Sequence, residues 1–373
     1  MKKEKNCCIK TSIGGQALME GIMMRGPKTY ALAVRNTKGE IVVEEAENKA
    51  AKRPAICRWP IIRGILGYID SMALGYKCLM RSAELSGLED LVEESPRKKK
   101  KREAKEAAAA AAAENATETQ SNESTADGAN EGEVESKDRA PKEEEKKLPA
   151  WVMTALMVFS MVFAVGFSLL LFMYLPTKLY TLLTPHVGFL TGHGTALDSL
   201  WKSVFEGVLK IALLVGYMAL ISLMKDIRRT YMYHGAEHKT IFCYEAGLEL
   251  TVENVRGQKR FHPRCGTSFL ILMLLVSIFI SFFIDPITVM LRGEVFPPLL
   301  RALVKLSLLP LIVGIGYELI KFAGRHDNIV TRIISAPGVW LQHLTVLEPT
   351  DDMIECAILA VKRVIPEDES DKW

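Results

Sequence analysis

Apolar residues are unevenly distributed along this chain. The long apolar runs lie between Trp151 and Phe322, whereas the first third is rich in charge, alanine and turn residues. The stretch 150–175 is uncharged throughout and longer than the roughly 20 residues a helix needs to cross a hydrocarbon core. A second, 204–224, carries Glu206 and Lys210 four residues apart in the acid-first order that favours a helical pair, near an end where both can snorkel. A third, 268–284, stops at Asp285-Pro286. A fourth, 298–320, has Arg301 and Lys305 near its start, a kink expected at Pro310, and Glu318 near its far end. The pattern predicts a mainly α membrane protein of four transmembrane helices with a small α+β cytosolic portion.

That portion includes a β-hairpin over 30–45, where two apolar runs flank a turn at Asn36-Thr37-Lys38-Gly39. Before it, 14–27 packs four glycines and a proline around three methionines. This reads as a glycine-dense loop whose backbone approaches a ligand, or as a buried loop and strand in which Glu20 and Arg25 pair. The stretch 60–80 is apolar but interrupted by Arg63, Asp70 and Lys77, as in an amphipathic helix on the cytosolic leaflet or a re-entrant hairpin. A basic run, a polyalanine tract and polar residues follow, and read as a disordered linker. Near the end, Ser335-Ala336-Pro337-Gly338 marks a break. A helix then begins at Thr350, with Ile354, Ala357, Ile358 and Val361 on its apolar face. The expected parts are therefore 1–96, cytosolic; 97–148, linker; 149–224, two spans; 225–267, a cytosolic loop; 268–322, two spans; and 323–373, a cytosolic helical segment.

Charge sets the orientation. The 225–267 loop holds eight Lys and Arg, against two in 176–203 and one in 285–297, so the positive-inside rule makes it cytosolic and leaves both termini cytosolic. Net charge is only +3, which offers no field for nucleic acid. The seven cysteines are odd in number and scattered, as suits a reducing compartment. No cleavable signal peptide is expected from the first residues.

Candidate chemistry concentrates in the 225–267 loop. His234 and His238 share one helix face, the spacing used to grip a transition metal, and Glu237 between them is placed to act as a base. His262 and Cys265 add a further imidazole and thiol, with Cys243 and Glu245 nearby. A divalent metal such as zinc takes three or four such ligands. Arg25 and Glu20 are candidates for completing the site from the glycine-dense stretch. The same residues also suit a polar cytosolic helix whose histidines bond to headgroups or to Glu237.

Four stretches carry a resemblance: 14–27, Tyr233-His234-Gly235-Ala236-Glu237-His238-Lys239-Thr240, Cys243-Tyr244-Glu245-Ala246-Gly247, and His262-Pro263-Arg264-Cys265-Gly266-Thr267-Ser268-Phe269. With 335–342, Glu348-Pro349, Asp352 and Glu355, they resemble the DUF1385 family of YqhQ-like bacterial membrane proteins, over nearly the whole chain outside the linker. The resemblance implies a bacterial membrane protein of a kind described as a predicted metal-dependent enzyme; the expectation here is a hydrolase of the inner membrane, with the bilayer and other membrane proteins as partners. The alternative is a non-enzymatic factor assisting insertion or assembly of membrane proteins. Transport is disfavoured: the spans show no repeat and no charge lies mid-way along the first.

Overall fold

The computed structural model describes residues 9–48, 54, 57, 59–87, 150–188, 195–293, 296–326, 328–368 and 370–372. The linker expected over 97–148 and the Cys7-Cys8 pair lie outside them. The chain divides into two units, Met1–Leu88 with Ser168–Trp373, and Glu89–Phe167. The described part of the second is one apolar helical stretch.

Strands β1 (Gly14–Leu18), β2 (Gly21–Arg25), β3 (Thr29–Arg35) and β4 (Ile41–Glu47) form an antiparallel sheet in sequence order. The expected hairpin is β3–β4. Its turn is closed by Asn36 Oδ1, which accepts from the Lys38 and Glu40 amides, and by Gly39 at φ +84°. The glycine-dense stretch, expected as a loop, is instead mostly the β1–β2 hairpin, turning at Met19 and Glu20, with Glu20 at φ +50°. Its strands lacked a polar alternation because the sheet is covered on both faces. Ile22, Met24, Ala31 and Ala33 pack with Tyr233, Ala236, Ile354 and Ala357 on one side. Met23, Leu32 and Val34 pack with Cys78 and Leu74 on the other.

The second face is covered by α1 (Ile62–Ser86), a single helix that also packs on α9 (Leu309–Arg325). Arg63 forms an ion pair with Glu318 at that contact. On its outer side Ile69, Met72, Tyr76 and Met80, at helical spacing, are all exposed.

The remaining helices are α2 (Ala150–Leu169), a π-helical turn Leu170–Tyr174, α3 (Leu175–Leu183), α4 (Thr195–Ile221), α5 (Lys225–Glu245), α6 (Val252–Arg256), α7 (Gly266–Arg292), α8 (Pro298–Ser307), α10 (Ile329–Thr345) and α11 (Asp351–Lys362). Among the described residues, three stretches are long and apolar enough to cross a membrane: Val158–His186, Leu200–Ile221 and Gly266–Arg292. The pair Leu299–Ser307 and Leu309–Arg325, bent by 44°, makes a fourth if read as one broken span. Its bend falls at Leu308, beside the kink expected at Pro310.

Three local expectations are corrected. Helix α7 does not stop at Asp285-Pro286 but runs on to Arg292, because Asp285 is buried with its Oδ2 2.5 Å from Arg301 Nη2. Glu206 does not snorkel: only 3% exposed, it accepts from Arg301 and Thr177 side chains at 2.9 Å each. The break expected at 335–338 is absent, since α10 runs through Pro337 and sets Gly338 against Ser268 of α7, where a Cβ would lie 2.5 Å from the serine Cβ. Helix α11 follows the expectation, with Ile354, Ala357, Ile358 and Val361 buried against α5, β2 and β3.

Candidate metal centre

Helix α5 supplies the centre of the site. It is buried from Tyr233 to Ile241 except for half-buried His234, an unusual run for so polar a helix. Burial arises because β1, β2 and α11 pack on it, while the segment after α10 lies along it. That segment is tied by the Leu347 amide donating to Tyr231 O at 3.0 Å. Gly235 permits the approach: a Cβ there would run into Leu347 O.

The two imidazoles are oriented by backbone. His234 Nδ1 lies 3.0 Å from Thr345 O, and His238 Nδ1 lies 2.6 Å from Arg260 O. A carbonyl accepts only, so each Nδ1 carries a proton and each Nε2 is the ring nitrogen left to face the cluster. Both rings then turn that nitrogen toward Cys265, with His234 Nε2 3.1 Å from Sγ. One ligand atom from each of His234, His238 and Cys265 lies within 4.8 Å of the others.

Cys265 occupies the N-cap of α7. Its sulfur sits 3.4 Å from the Thr267 amide and 3.2 Å from Thr267 Oγ1. Burial opposes ionisation of this thiol, but His234 and His238 beside it outweigh that and hold it well below the usual thiol range; the positive end of α7 acts the same way. Conversely, burial would lower His234, yet the Cys265 thiolate and Glu237 raise it to about 9. The geometry thus concentrates a thiolate and two directed nitrogens in one pocket.

Glu237 points to the β-sheet side of the same cluster. Burial pushes its carboxyl above the usual range, offset in part by His234, His238 and a hydrogen bond from the Gly15 backbone. Its Oε2 is buried with no hydrogen-bond partner among the described residues. The approach of β1 requires glycine at position 15, where a Cβ would lie 2.7 Å from Met23 O and 2.9 Å from Glu237 Cδ.

The other expected site residues are placed differently. His262 is adjacent, its ring 5.6 Å from that of His238, but its Nδ1 accepts from the Arg264 amide at 3.3 Å and its Nε2 faces Glu245 and Arg264. Burial lowers its pKa, the Glu245 hydrogen bond only partly opposing this. Arg25 lies opposite Gly14 in the β1–β2 register, so strand alternation turns it, with Met23, toward α1, away from Glu237. Its guanidinium donates to Ser71 Oγ and Asn48 Oδ1, each at 3.3 Å. Glu20 forms a bidentate ion pair with Arg229 at 2.5 Å, two helical turns before Glu237. Cys243 donates to Glu249 O at 3.5 Å, and Glu245 is taken up by Arg264 and the Thr11 amide.

Pattern reading missed the groups that act through backbone: Gly15, and the carbonyls of Thr345 and Arg260. It also missed Gln342, whose side chain takes the His262 amide at 2.8 Å and donates to His262 O at 2.7 Å and Ser268 Oγ at 2.9 Å. Only the motif stretches containing Gly15 and Gln342 offered a signal. A cavity of about 220 Å³ opens beside the cluster, lined on one side by Glu237, His238 and Cys265 and on the other by Tyr317, Ile320 and Lys321 of α9.

Comparison with known proteins places these residues in a family. The family model described as "Protein of unknown function (DUF1385)" matches residues 59–367. The chain is 30% identical over 362 residues to the uncharacterized protein YqhQ of Bacillus subtilis (strain 168), an alignment covering 96% of this chain and 92% of that protein. No solved structure matches. His234, Glu237, His238 and Cys265 all lie within the matched region, and the chain belongs to the DUF1385 family.

Proposed function

We propose that this protein is a multi-pass membrane enzyme that holds a divalent metal ion on His234 Nε2, His238 Nε2 and Cys265 Sγ and hydrolyses a membrane-delivered substrate at its cytosolic face. The observation that carries the reading is the paired anchoring of both Nδ1 atoms on backbone carbonyls, which commits both Nε2 atoms to one point beside a thiolate. That is the supporting geometry of imidazole ligands in metal sites. An ion held by His234, His238 and Cys265 would supply Lewis acidity to the substrate. Glu237, with its Oε2 buried and unpartnered beside the cluster, would in its ionised form take the proton from the attacking water.

The membrane placement is supported by the apolar spans, and the cytosolic assignment of the 225–267 segment and both termini by the charge of the loops. Tyr317, Ile320 and Lys321 support a substrate that arrives from the membrane, because the cavity wall they form belongs to the bent candidate span. The outer stripe of α1 suits contact with the cytosolic leaflet.

Metal analysis of the detergent-purified chain tests the reading. About one equivalent of a divalent metal is expected, lost when His234→Ala and His238→Ala are combined. A metal-free protein that stays folded and functional in cells with both alanines overturns it and favours the assembly-factor alternative.

A further inference from the structure

A second polar cavity lies far from the metal centre. Asp285 stands twenty residues along α7 from Cys265, about 30 Å at the rise of a helix. There α3, the start of α4 and α8 enclose a cavity of about 660 Å³. Its apolar wall includes Leu170, Met173, Phe296 and Leu299, while Lys178, Lys202, Lys210, Arg301 and Lys305 supply five cations. Two carboxylates oppose them: Glu206, bonded to Arg301 at 2.9 Å and 3.9 Å from Lys305, and Asp285 on the far side of Arg301. Five basic side chains thus face two carboxylates beside hydrocarbon. Lys202 and Lys210 have no carboxylate within ion-pair distance among the described residues. Arg301, 6% exposed, keeps a buried Nε with no acceptor there.

Unpaired cations against an apolar wall are costly unless an anion reaches them. An anion with a hydrocarbon tail satisfies both parts of the lining. The geometry points to a binding site for an anionic amphiphile, a phosphate head on Lys202, Lys210 and Arg301 with its acyl or polyprenyl tail on Leu170, Met173 and Leu299. The site rests on the membrane placement proposed above, but not on the metal or the hydrolysis. By loop charge it faces the leaflet opposite the metal centre.

Native mass spectrometry of the full chain in a neutral detergent tests this, using phosphatidylglycerol against phosphatidylcholine of matched acyl chains. The expected result is retention of phosphatidylglycerol favoured at least tenfold, falling to near parity in Lys202→Gln/Lys210→Gln, at roughly a factor of five per cation near a lipid headgroup. Those lysines are chosen because Glu206 and Asp285 keep Arg301 in the variant. An unchanged thermal melt and metal content confirm its fold. If the double variant melts early, each single variant is expected to lower the preference separately. Equal retention of the two lipids by the unsubstituted chain overturns the inference, as does a preference that survives the lysine changes. Binding of inorganic phosphate in lipid-free detergent as tightly as the lipid also overturns it, assigning the site to a soluble anion. Partition of the chain into water without detergent removes the membrane placement itself, and with it both readings. Dependence on detergent without lipid preference removes only this one.

Discussion

At the scale of single residues, the site is defined by which atom each side chain leaves free. Thr345 O and Arg260 O hold a proton on the Nδ1 of His234 and of His238, so the Nε2 atoms are the ones directed at Cys265. Glu237 differs in kind: its carboxyl is beside the cluster, and burial shifts its pKa upward, the direction that strengthens a general base. The roles separate by substitution. Cys265→Ser is expected to lower bound metal by at least about tenfold through loss of the thiolate, whereas Glu237→Gln should retain it, both read by metal content at equal protein concentration. Loss of metal in Glu237→Gln equal to that in Cys265→Ser would make the carboxylate a ligand rather than a base. Two glycines are constrained by contact: Gly15→Ala meets Met23 O and Glu237, and Gly235→Ala meets Leu347 O. Each is expected to destabilise the fold by about 1–3 kcal/mol, seen as a lowered Tm.

At the scale of elements, the ends of the chain are knitted to α5. The Thr11 amide donates to Glu245 Oε1 at 2.9 Å, Thr11 Oγ1 donates to Asp371 Oδ2 at 2.6 Å, and Arg264 pairs with Glu245. Burial alone would raise the Glu245 carboxyl, but hydrogen bonds from His262 and Arg264 lower it below the usual range. A depressed folded value stabilises above the unfolded carboxylate value and is lost as pH falls through the folded one. Stability is therefore expected to fall below roughly pH 4, with a shallower acid limb in Glu245→Gln; identical limbs would remove this account of the tie. In the helical bundle, Arg301→Met leaves Asp285 buried without its cation and Glu206 with Lys305 alone, 3.9 Å away, and is expected to cost about 3–5 kcal/mol. A thermal melt in detergent reads it, with partial recovery when Glu206→Gln and Asp285→Asn are added.

Legibility in the sequence followed how local the deciding contact is. The β3–β4 turn was readable because Asn36 and Gly39 carry its geometry within four residues. His234, Glu237 and His238 were readable because one helix turn brings them together. The β1–β2 hairpin was not, since its alternation vanished under cover on both faces. Pro286 and Pro337 suggested ends that did not occur, because Arg301 and Ser268, distant in sequence, hold those helix turns in place. Arg25 was assigned to the site by proximity in sequence, and the strand period put it on the other face.

For the whole molecule, the account joins two claims of different origin: a membrane topology resting on apolar length and loop charge, and a metal centre resting on side-chain direction. Topology is checked by reporter fusions. A fluorescent protein fused after residue 372 is expected to be bright, and alkaline phosphatase at the same place inactive; the reverse pair would invert the orientation and place the His/Cys cluster outside the cell. The metal centre is tested most directly by cobalt. Cobalt(II) added to the chelator-treated, purified chain is expected to give about one tightly bound equivalent with a thiolate-to-cobalt charge-transfer band that vanishes in Cys265→Ser. No stoichiometric binding, or a band that survives Cys265→Ser, would contradict a centre built on His234, His238 and Cys265.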